Sequence, residues 1–173
     1  MRSVLNHIET ELLPSMLLDE SLWKSVYVDY HAPFVQRLWT SVTLDGVQYR
    51  IYLHRILPCE LNEALFHPHP WPSVMRILSG RYTMAVGHGS GDAAPPVTMT
   101  LSLPMGTDYE MLHEDGWHAV CPEGVPAYSL MITGTPWNRP SPKSTYPLQP
   151  LAKEVEAEIF KFFRNAYPHW PEY

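Results

Sequence analysis

The sequence has few cysteines, no cluster of basic residues and no long apolar run. Its 173 residues include two cysteines, too few for a disulfide framework, so we expect a reducing, cytoplasmic setting. A net charge of −6 without a Lys/Arg cluster disfavours nucleic acid and anionic membranes as partners. No apolar stretch approaches a membrane span, and Glu9 and Glu11 stand where a signal peptide would be apolar. What remains is a folded chain with 45% hydrophobic residues, most simply one domain over 1–173.

Helical spacing of apolar residues occurs near both termini. Residues 3–12 repeat apolar side chains every three or four positions, with Ser3 as the expected cap, and a second short helix is expected from Asp19. A longer amphipathic helix is predicted over 151–166. These segments predict helical extensions over about 3–27 and 151–166.

Between these extensions the period of the apolar residues changes to two. Two such runs flank Asp45-Gly46, a pair typical of a two-residue hairpin turn. Eighteen prolines, about twice average usage, indicate short elements joined by pinned loops. Many short antiparallel strands between terminal helices favour a small β-barrel or double-sheet sandwich over about 34–137.

Two histidines stand one residue apart in the stretch ALFHPHPWPS. In a strand, residues i and i+2 face the same side, so His67 and His69 point together. Neutral imidazole is a common ligand for divalent metals, and two on one face form half a site. A third histidine, His118, begins the β-like run HAV, whereas His113 lies in the turn-like HEDG and is most simply a solvated loop residue.

The first stretch resembles the first motif of the cupins. That motif runs histidine, any residue, histidine, a few residues, glutamate, six more residues and glycine. His67, His69 and Gly80 match it, and Ser73 stands where the glutamate is expected. One cupin branch, the thiol dioxygenases of the cysteine dioxygenase type, lacks this glutamate and holds iron with three histidines.

The third histidine of that branch lies in a Gly-x-His-x-Val run followed by a strand rich in Ser and Leu. GWHAV, with AYSLMITG after it, resembles this arrangement. The resemblance covers about 35–137 and implies a mainly β, cupin-type double-sheet β-barrel, or jelly roll, in which His67, His69 and His118 hold Fe(II). The activity it implies is the O2-dependent dioxygenation of a small molecule, with a thiol acid among the candidates.

A second register of the same stretch stays open. The ordinary second cupin motif is glycine, five residues, then Pro-x-Gly-x-x-His, which fits from Gly116 through Pro122 and Gly124 but ends in Ala127. In that register the last ligand is lost, and the protein would be a metal-free binding module. We favour His118 because AYSLMITG then remains as a closing strand, whereas the following TPWNRPSPKSTYP has too many prolines for a central one.

Three neutral nitrogen donors favour Fe(II), Zn, Cu, Ni or Mn over Mg or Ca, and they leave part of the coordination sphere open. A site of two histidines and a carboxylate stays an alternative, with Glu60, Glu63 or Glu110 as the carboxylate, although none has a ligand-like spacing. Zinc hydrolysis would further need a general base, which the sequence does not place.

The resemblance also implies an arginine for a substrate carboxylate on an early strand. Arg37 falls nearest to its expected place, while Arg50 and Arg55 lie on opposite faces of the next strand; a salt bridge at a rim or interface would explain each as well. Tyr109 and Tyr128 are stand-ins for the active-site tyrosine of that branch. The substrate is left open between a small thiol acid and a diketone-like chelator.

Two other functions stay open. One is another metal-dependent cupin enzyme, such as an isomerase or a C–C-cleaving dioxygenase, and the other is a non-catalytic cupin that binds a small ligand. A homodimer is expected because Ile159, Phe160, Phe162 and Phe163 offer more apolar surface than one small barrel needs to cover.

Overall fold

Ten antiparallel strands dominate the fold. The structure, a computed structural model, describes residues 1–140 and 142–169. The strands are β1 (Lys24–Val28), β2 (Val35–Leu44), β3 (Val47–Ile56), β4 (His67–Pro68), β5 (Ser73–Ser79), β6 (Arg81–His88), β7 (Met99–Pro104), β8 (Asp108–Met111), β9 (Gly116–Pro122) and β10 (Ala127–Thr133). They form one sheet in the order β1-β2-β3-β10-β5-β8 and a second in the order β4-β9-β6-β7. The predicted mainly β, double-sheet class is confirmed.

The last eight strands are distributed between the sheets as in a jelly roll. The larger sheet takes β3, β5, β8 and β10, and the smaller takes β4, β6, β7 and β9. The first two strands extend the larger sheet beyond β3. Within the described residues no ladder of hydrogen bonds joins the two sheets. They are held together by the packing of their side chains.

The β2–β3 hairpin has a fixed register. Its turn is Asp45-Gly46, with φ values of 49° and 77°, the left-handed conformations that a two-residue type I′ turn requires. Leu44 therefore lies opposite Val47 and, seven pairs farther along, Arg37 lies opposite His54. Directly opposite residues of an antiparallel pair share one face of the sheet, so the side chains of Arg37 and His54 are neighbours.

Both faces of the larger sheet are buried. Along β3, Ile51 and Leu53 point to the outer face, which the terminal helices cover, whereas Tyr52, His54 and Ile56 point towards the smaller sheet. The inner core contains side chains of both sheets, namely Tyr52, Ile56, Met75, Ile77, Tyr82, Met84, Val120, Ala127 and Met131. The polar residues of interest lie on this inner side.

The N-terminal helical segment differs in detail from the prediction. α1 (Arg2–His7) continues through a π-helical stretch (Ile8–Leu12) into α2 (Leu13–Met16). The expected Ser3 cap is wrong, because Ser3 lies inside α1 and no side chain caps that helix.

The second predicted helix is shorter than expected. Asp19 caps a single 3₁₀ turn, Glu20–Leu22, by accepting the Ser21 N–H at 3.0 Å. The chain then enters β1 within the region expected to be helical, because apolar side chains there pair with β2 at the sheet edge. The part of the 3–27 extension after residue 23 is therefore strand.

The C-terminal helix, α3 (Lys153–Ala166), covers the outer face of the larger sheet. Ile159, Phe160 and Phe163 are buried within the chain itself, and Phe162 stacks on Tyr128 with ring centroids 3.9 Å apart. The side chains that suggested a dimer are thus largely covered by the chain's own sheet. The homodimer stays a prediction that light scattering can test. None of the described helices is both long and apolar enough to cross a membrane.

Candidate metal centre

The structure brings the three predicted histidines together. β4 pairs with β9 so that His67 lies opposite His118, and His69 follows directly after β4. One ring nitrogen from each residue lies within 4.8 Å of the others, so the group could hold a metal ion. Strands β4 and β9 of the smaller sheet thereby position His67 and His118, and the residue directly after β4 supplies the third donor.

The spacing of the donor atoms suits one ion. Nε2 of His69 lies 2.8 Å from Nε2 of His118. Two nitrogen ligands at about 2.1 Å from an ion and at right angles would be about 3 Å apart. The observed separation is close to that value, so a single ion would need little rearrangement of these two imidazoles.

Hydrogen bonds to the opposite ring nitrogens fix two of the imidazoles. Nδ1 of His67 donates to the Leu65 carbonyl oxygen at 2.8 Å, and Nδ1 of His69 is 3.1 Å from Ser73 Oγ. Because a carbonyl oxygen can only accept, Nδ1 of His67 carries the proton and its Nε2 keeps the lone pair, while the Ser73 hydroxyl holds the orientation of the His69 ring. Nδ1 of His118 is buried and has no partner among the described residues.

All three imidazoles are in a site that disfavours their charged form. Burial lowers the pKa of His67 to about 4 and that of His69 to about 3, and it holds the pKa of His118 well below its usual value. The rings are therefore neutral at physiological pH, and protons do not compete with a metal for their lone pairs. The donor set fits a divalent transition metal.

A cavity of about 150 Å³ opens beside the three histidines. The side chains that line it are Val28, Tyr30, His31, Pro33, Val35, Arg37, His54, Ile56, His67, Pro68, His69, Pro70, Trp71, Met75, His118, Val120, Met131 and Pro142. This set, drawn from the described part of the chain, contains no aspartate or glutamate. The cavity therefore combines apolar walls with imidazoles and one guanidinium.

Arg37 reaches this cavity and pairs with no carboxylate in the part of the chain that the structure describes. Its side chain is half-buried, its Nε is buried without a hydrogen-bond partner among the described residues, and its Cζ lies 5.5 Å from the centroid of the Tyr52 ring. Burial lowers the pKa of Arg37, because the cavity wall replaces water around the guanidinium. A guanidinium of this kind is suited to bind an anion.

His54 is a residue of this cavity that was not predicted from the sequence. This residue is 4% exposed, lines the cavity beside Arg37 and has no partner for either ring nitrogen within the described residues. Burial, followed by the charge of Arg37, holds its pKa well below the usual value. The signal was available, because counting outward from the Asp45-Gly46 turn pairs Arg37 with His54.

The other two candidate arginines lie away from the three histidines. Arg50 is exposed, with its Cζ 5.5 Å from the Trp39 ring. Arg55 points to the outer face, where its Nη1 donates to Gln36 at 2.5 Å and its Nε lies 3.3 Å from a carboxylate oxygen of Glu158. These contacts correspond to the salt-bridge alternative for Arg55.

Tyr109 lies on β8, the edge strand of the larger sheet, and does not line the cavity beside the three histidines. Its ring centroid is 6.1 Å from that of His118, and its hydroxyl donates to Met75 Sδ at 3.1 Å. Burial holds its pKa well above the ordinary value, so the phenol stays protonated. Tyr128 lies on the outer side, where its hydroxyl donates to Glu158 at 2.9 Å.

Two of the three candidate carboxylate ligands are engaged elsewhere. Glu110 lies 3.1 Å from the N-terminal amino group, and Glu63 accepts the backbone N–H of Glu60 at 3.0 Å. Neither these two residues nor Glu60 lines the cavity beside the histidines.

The geometry also bears on the second register. Ala127 is fully buried at the start of β10, the closing strand, and does not line the cavity. It packs against Gly80, whose φ of 82° favours glycine and where an added Cβ would lie 2.9 Å from the Ala127 Cβ. The place where that register would have its last histidine is thus held by an alanine in close contact with a glycine.

A second group of potential metal ligands lies at the surface. His88, His113 and Asp115 also bring one donor atom each within 4.8 Å, and both of these histidines are exposed. Oδ1 of Asp115 already lies 3.3 Å from Nη1 of Arg139. The guanidinium offsets the negative charge of the carboxylate and so weakens its attraction for a cation. His113 is therefore not an isolated loop residue, and it is a poor control in metal-binding experiments.

Comparison with known proteins gives no family assignment. No family model matches the chain, and no curated protein matches it. The structure of hydroxypropylphosphonic acid epoxidase from S. wedmorenis is 18% identical with a TM-score of 0.48, and the match covers 66% of this chain and 56% of that one.

Two further structures are similar at the same level. Fe(II) HppE is 16% identical with a TM-score of 0.43, covering 56% of this chain and 50% of that one. A putative sugar phosphate isomerase from Acidithiobacillus ferrooxidans is 14% identical with a TM-score of 0.39, covering 57% and 60%. The matches thus span half to three fifths of those chains, and they assign neither a ligand nor an activity to this protein.

Proposed function

We propose that this protein is a mononuclear, Fe(II)- and O2-dependent dioxygenase of a small carboxylate, with a thiol acid as the leading substrate class. The observation that carries the proposal is the shared cavity: three neutral imidazoles and the Arg37 guanidinium meet around one space that no described carboxylate lines. The donors suit a transition metal, and the guanidinium suits an anion beside it.

The size of the cavity limits the substrate. A cavity of about 150 Å³ can enclose a molecule of roughly benzene size, so we expect a substrate of about six to eight non-hydrogen atoms. The apolar walls include Val28, Ile56, Met75 and Met131. They leave room for a short aliphatic chain between the metal centre and the guanidinium.

Each residue has a separate task in this proposal. A bound Fe(II) ion supplies a redox-active Lewis acid with coordination positions that three imidazoles leave open to a chelating substrate and O2. Arg37 binds the substrate carboxylate, and the Tyr52 ring below the guanidinium limits its rotation. Ser73 and the Leu65 carbonyl keep two imidazoles oriented, and the buried walls exclude water.

Metal analysis followed by oxygen uptake tests the proposal. The protein is loaded with Fe(II) without oxygen, desalted, and mixed with a panel of short thiol acids and diketones. We expect about one tightly held ion per chain and oxygen uptake with at least one thiol acid, and neither in His67→Ala. His7→Ala is a matched control, because His7 is exposed on α1. If the protein binds metal but takes up no oxygen with any compound, the dioxygenase proposal is wrong. A ligand-binding protein or another metal-dependent enzyme would then be the better-supported function.

A further inference from the structure

His54 is buried in a way that the proposed metal centre does not explain. The side chain is 4% exposed, yet neither Nδ1 nor Nε2 has a hydrogen-bond partner in the described chain. A buried polar group without a partner destabilises the folded protein, so native structures contain few of them.

Buried nitrogen atoms without partners are concentrated around one cavity. Such atoms occur in Arg37, His54, Trp71 and His118, all of which line this space. Among the described residues the one other case is Arg55, whose Nε has the Glu158 carboxylate 3.3 Å away. The guanidinium Nε and the indole Nε1 are donors and cannot accept a hydrogen bond. The wall thus offers several donors and no carboxylate, which is the complement of an anion rich in acceptors.

The sheet sets His54 directly beside Arg37. The two residues are register partners on β2 and β3, so their Cβ atoms are about 4.5–5.5 Å apart on the same face. Two donors at this spacing can each reach one oxygen of the same carboxylate. The charged guanidinium attracts the anion, and a neutral imidazole N–H adds a directional bond without a second buried charge.

We propose that His54 is a second binding residue for the substrate carboxylate, and that His54 and Arg37 together select an acid over the corresponding amide or alcohol. The inference rests on the proposed function in one respect, namely that the bound acid is the substrate. The anion site itself depends only on the cavity and its donors. In this proposal the unpartnered imidazole is a binding group, and its burial lowers the stability of the protein without ligand.

Two variants of equal side-chain length isolate the hydrogen bond. His54→Gln keeps an N–H donor, whereas His54→Met has none and fills a similar volume. The probe is butanoate, which has six non-hydrogen atoms, with butanamide as the neutral comparison. Affinity is measured by thermal shift and calorimetry on protein loaded with metal and on protein treated with chelator. Gln48→Leu, at the exposed end of β3, is the control for the strand.

We expect butanoate to bind His54→Met about tenfold or more weakly than His54→Gln, because a hydrogen bond to a charged group is lost. Butanamide should bind both variants equally poorly. Without ligand, His54→Met should melt no lower than the parent, since a buried unpartnered group has been removed. Equal butanoate affinity in the two variants would overturn the inference. A difference in butanamide affinity between the two variants as large as the difference in butanoate affinity would overturn it too.

This test can fail independently of the proposed function. If the parent binds butanoate and the two variants differ as expected, but the Fe(II) protein consumes no oxygen, the anion site stands and the dioxygenase does not. If the parent consumes oxygen with a thiol acid but the two variants bind butanoate alike, the dioxygenase stands and His54 has no part in binding the acid.

Discussion

Ser73 Oγ lies 3.1 Å from Nδ1 of His69, and Ser73 occupies the sequence position where the cupin motif has its glutamate. The hydroxyl contacts the side of the imidazole opposite to Nε2, the atom that faces His118. Ser73 therefore orients a candidate ligand and is not itself one. Serine at this position thus supports the imidazole of His69 and adds no fourth donor.

Ser73→Ala should weaken metal binding while leaving the three donors in place. Loss of a hydrogen bond to the outer nitrogen of a ligating histidine typically lowers metal affinity by about 10–100-fold. Competition with a coloured chelator measures the affinity for Fe(II) or Zn. Ser79→Ala, at the other end of β5, is the matched control and should bind as the parent does. Unchanged affinity in Ser73→Ala would mean that this contact does not fix His69.

The strand pattern and the metal donors could be predicted from the sequence because each depends on local spacing. The period of two, together with glycine and proline punctuation, predicts the β2–β3 hairpin around Asp45-Gly46 and the closing strand β10 nearly to the residue. Histidines at i and i+2 share a face whatever the rest of the fold does. The approach of His118 to this pair depends on the tertiary fold. It could be predicted only from the resemblance of GWHAV to a known motif.

The sequence could not decide which face of β3 lies inside, because both faces are apolar. Ile51 and Leu53 pack on the helices, while Tyr52 and Ile56 pack between the sheets. Arg55 therefore remained a candidate until the structure placed it beside Glu158 on α3, about 100 residues away in the sequence. Contacts of that range depend on where a terminal helix docks, which local pattern does not encode.

Arg37→Gln should raise the KM for the substrate acid strongly and leave the metal content near that of the parent. Removing one partner from a desolvated, charged hydrogen bond costs about 2–5 kcal/mol of binding. The loss should be greatest for acids and small for neutral chelators. The KM is measured by oxygen uptake, beside the metal content of each variant.

Arg50→Gln and Arg55→Gln are the comparison variants, since Arg50 is exposed and Arg55 contacts Glu158. Both should keep a KM close to that of the parent. If all three variants turn over normally, no arginine binds the substrate acid, and a neutral diketone-like chelator becomes the better candidate.

Asp108→Asn should destabilise the protein at neutral pH and much less in acid. Arg76 holds Asp108 through two bonds, Nε to Oδ1 at 2.7 Å and Nη2 to Oδ2 at 2.8 Å, and also bonds the buried Glu9. The hydrogen bond from Arg76 lowers the pKa of Asp108, so its carboxylate stabilises the fold above the unfolded pKa, and this contribution is lost as the pH falls through the folded one.

We expect a loss of about 1–3 kcal/mol at pH 7, detected by chemical unfolding. The difference from the parent should shrink below about pH 4, the range in which a free aspartate takes up its proton. Asp92→Asn, in the exposed loop after β6, is the control and should follow the parent at every pH. A difference that stays constant down to the acid limit would show that the mutation acts through packing and not through the charge.

His118→Ala distinguishes the two possible registers of the second motif. If His118 is the third ligand, the variant keeps only His67 and His69, and two monodentate imidazoles hold Fe(II) too weakly to survive desalting. Bound metal stabilises the native state by mass action, so the variant should also lose most of the rise in melting temperature that added metal gives the parent. Metal per chain is measured by atomic emission for the parent, His118→Ala and the control His7→Ala.

Metal bound by the surface group of His88, His113 and Asp115 must be excluded from the measured metal per chain. An ion held there would be mistaken for metal retained at the buried site. The measurement is therefore repeated in a His113→Ala background, which breaks the surface group and leaves the buried one intact. In that background the parent site should keep about one ion, and His118→Ala should keep none. Full metal in the double variant, or none in the parent after Fe(II) loading, would rule out the three-histidine site and the dioxygenase with it. Metal loss in His118→Ala, with about one ion kept in the His113→Ala background, would mean that His118, which lies opposite His67 on β9, completes the centre.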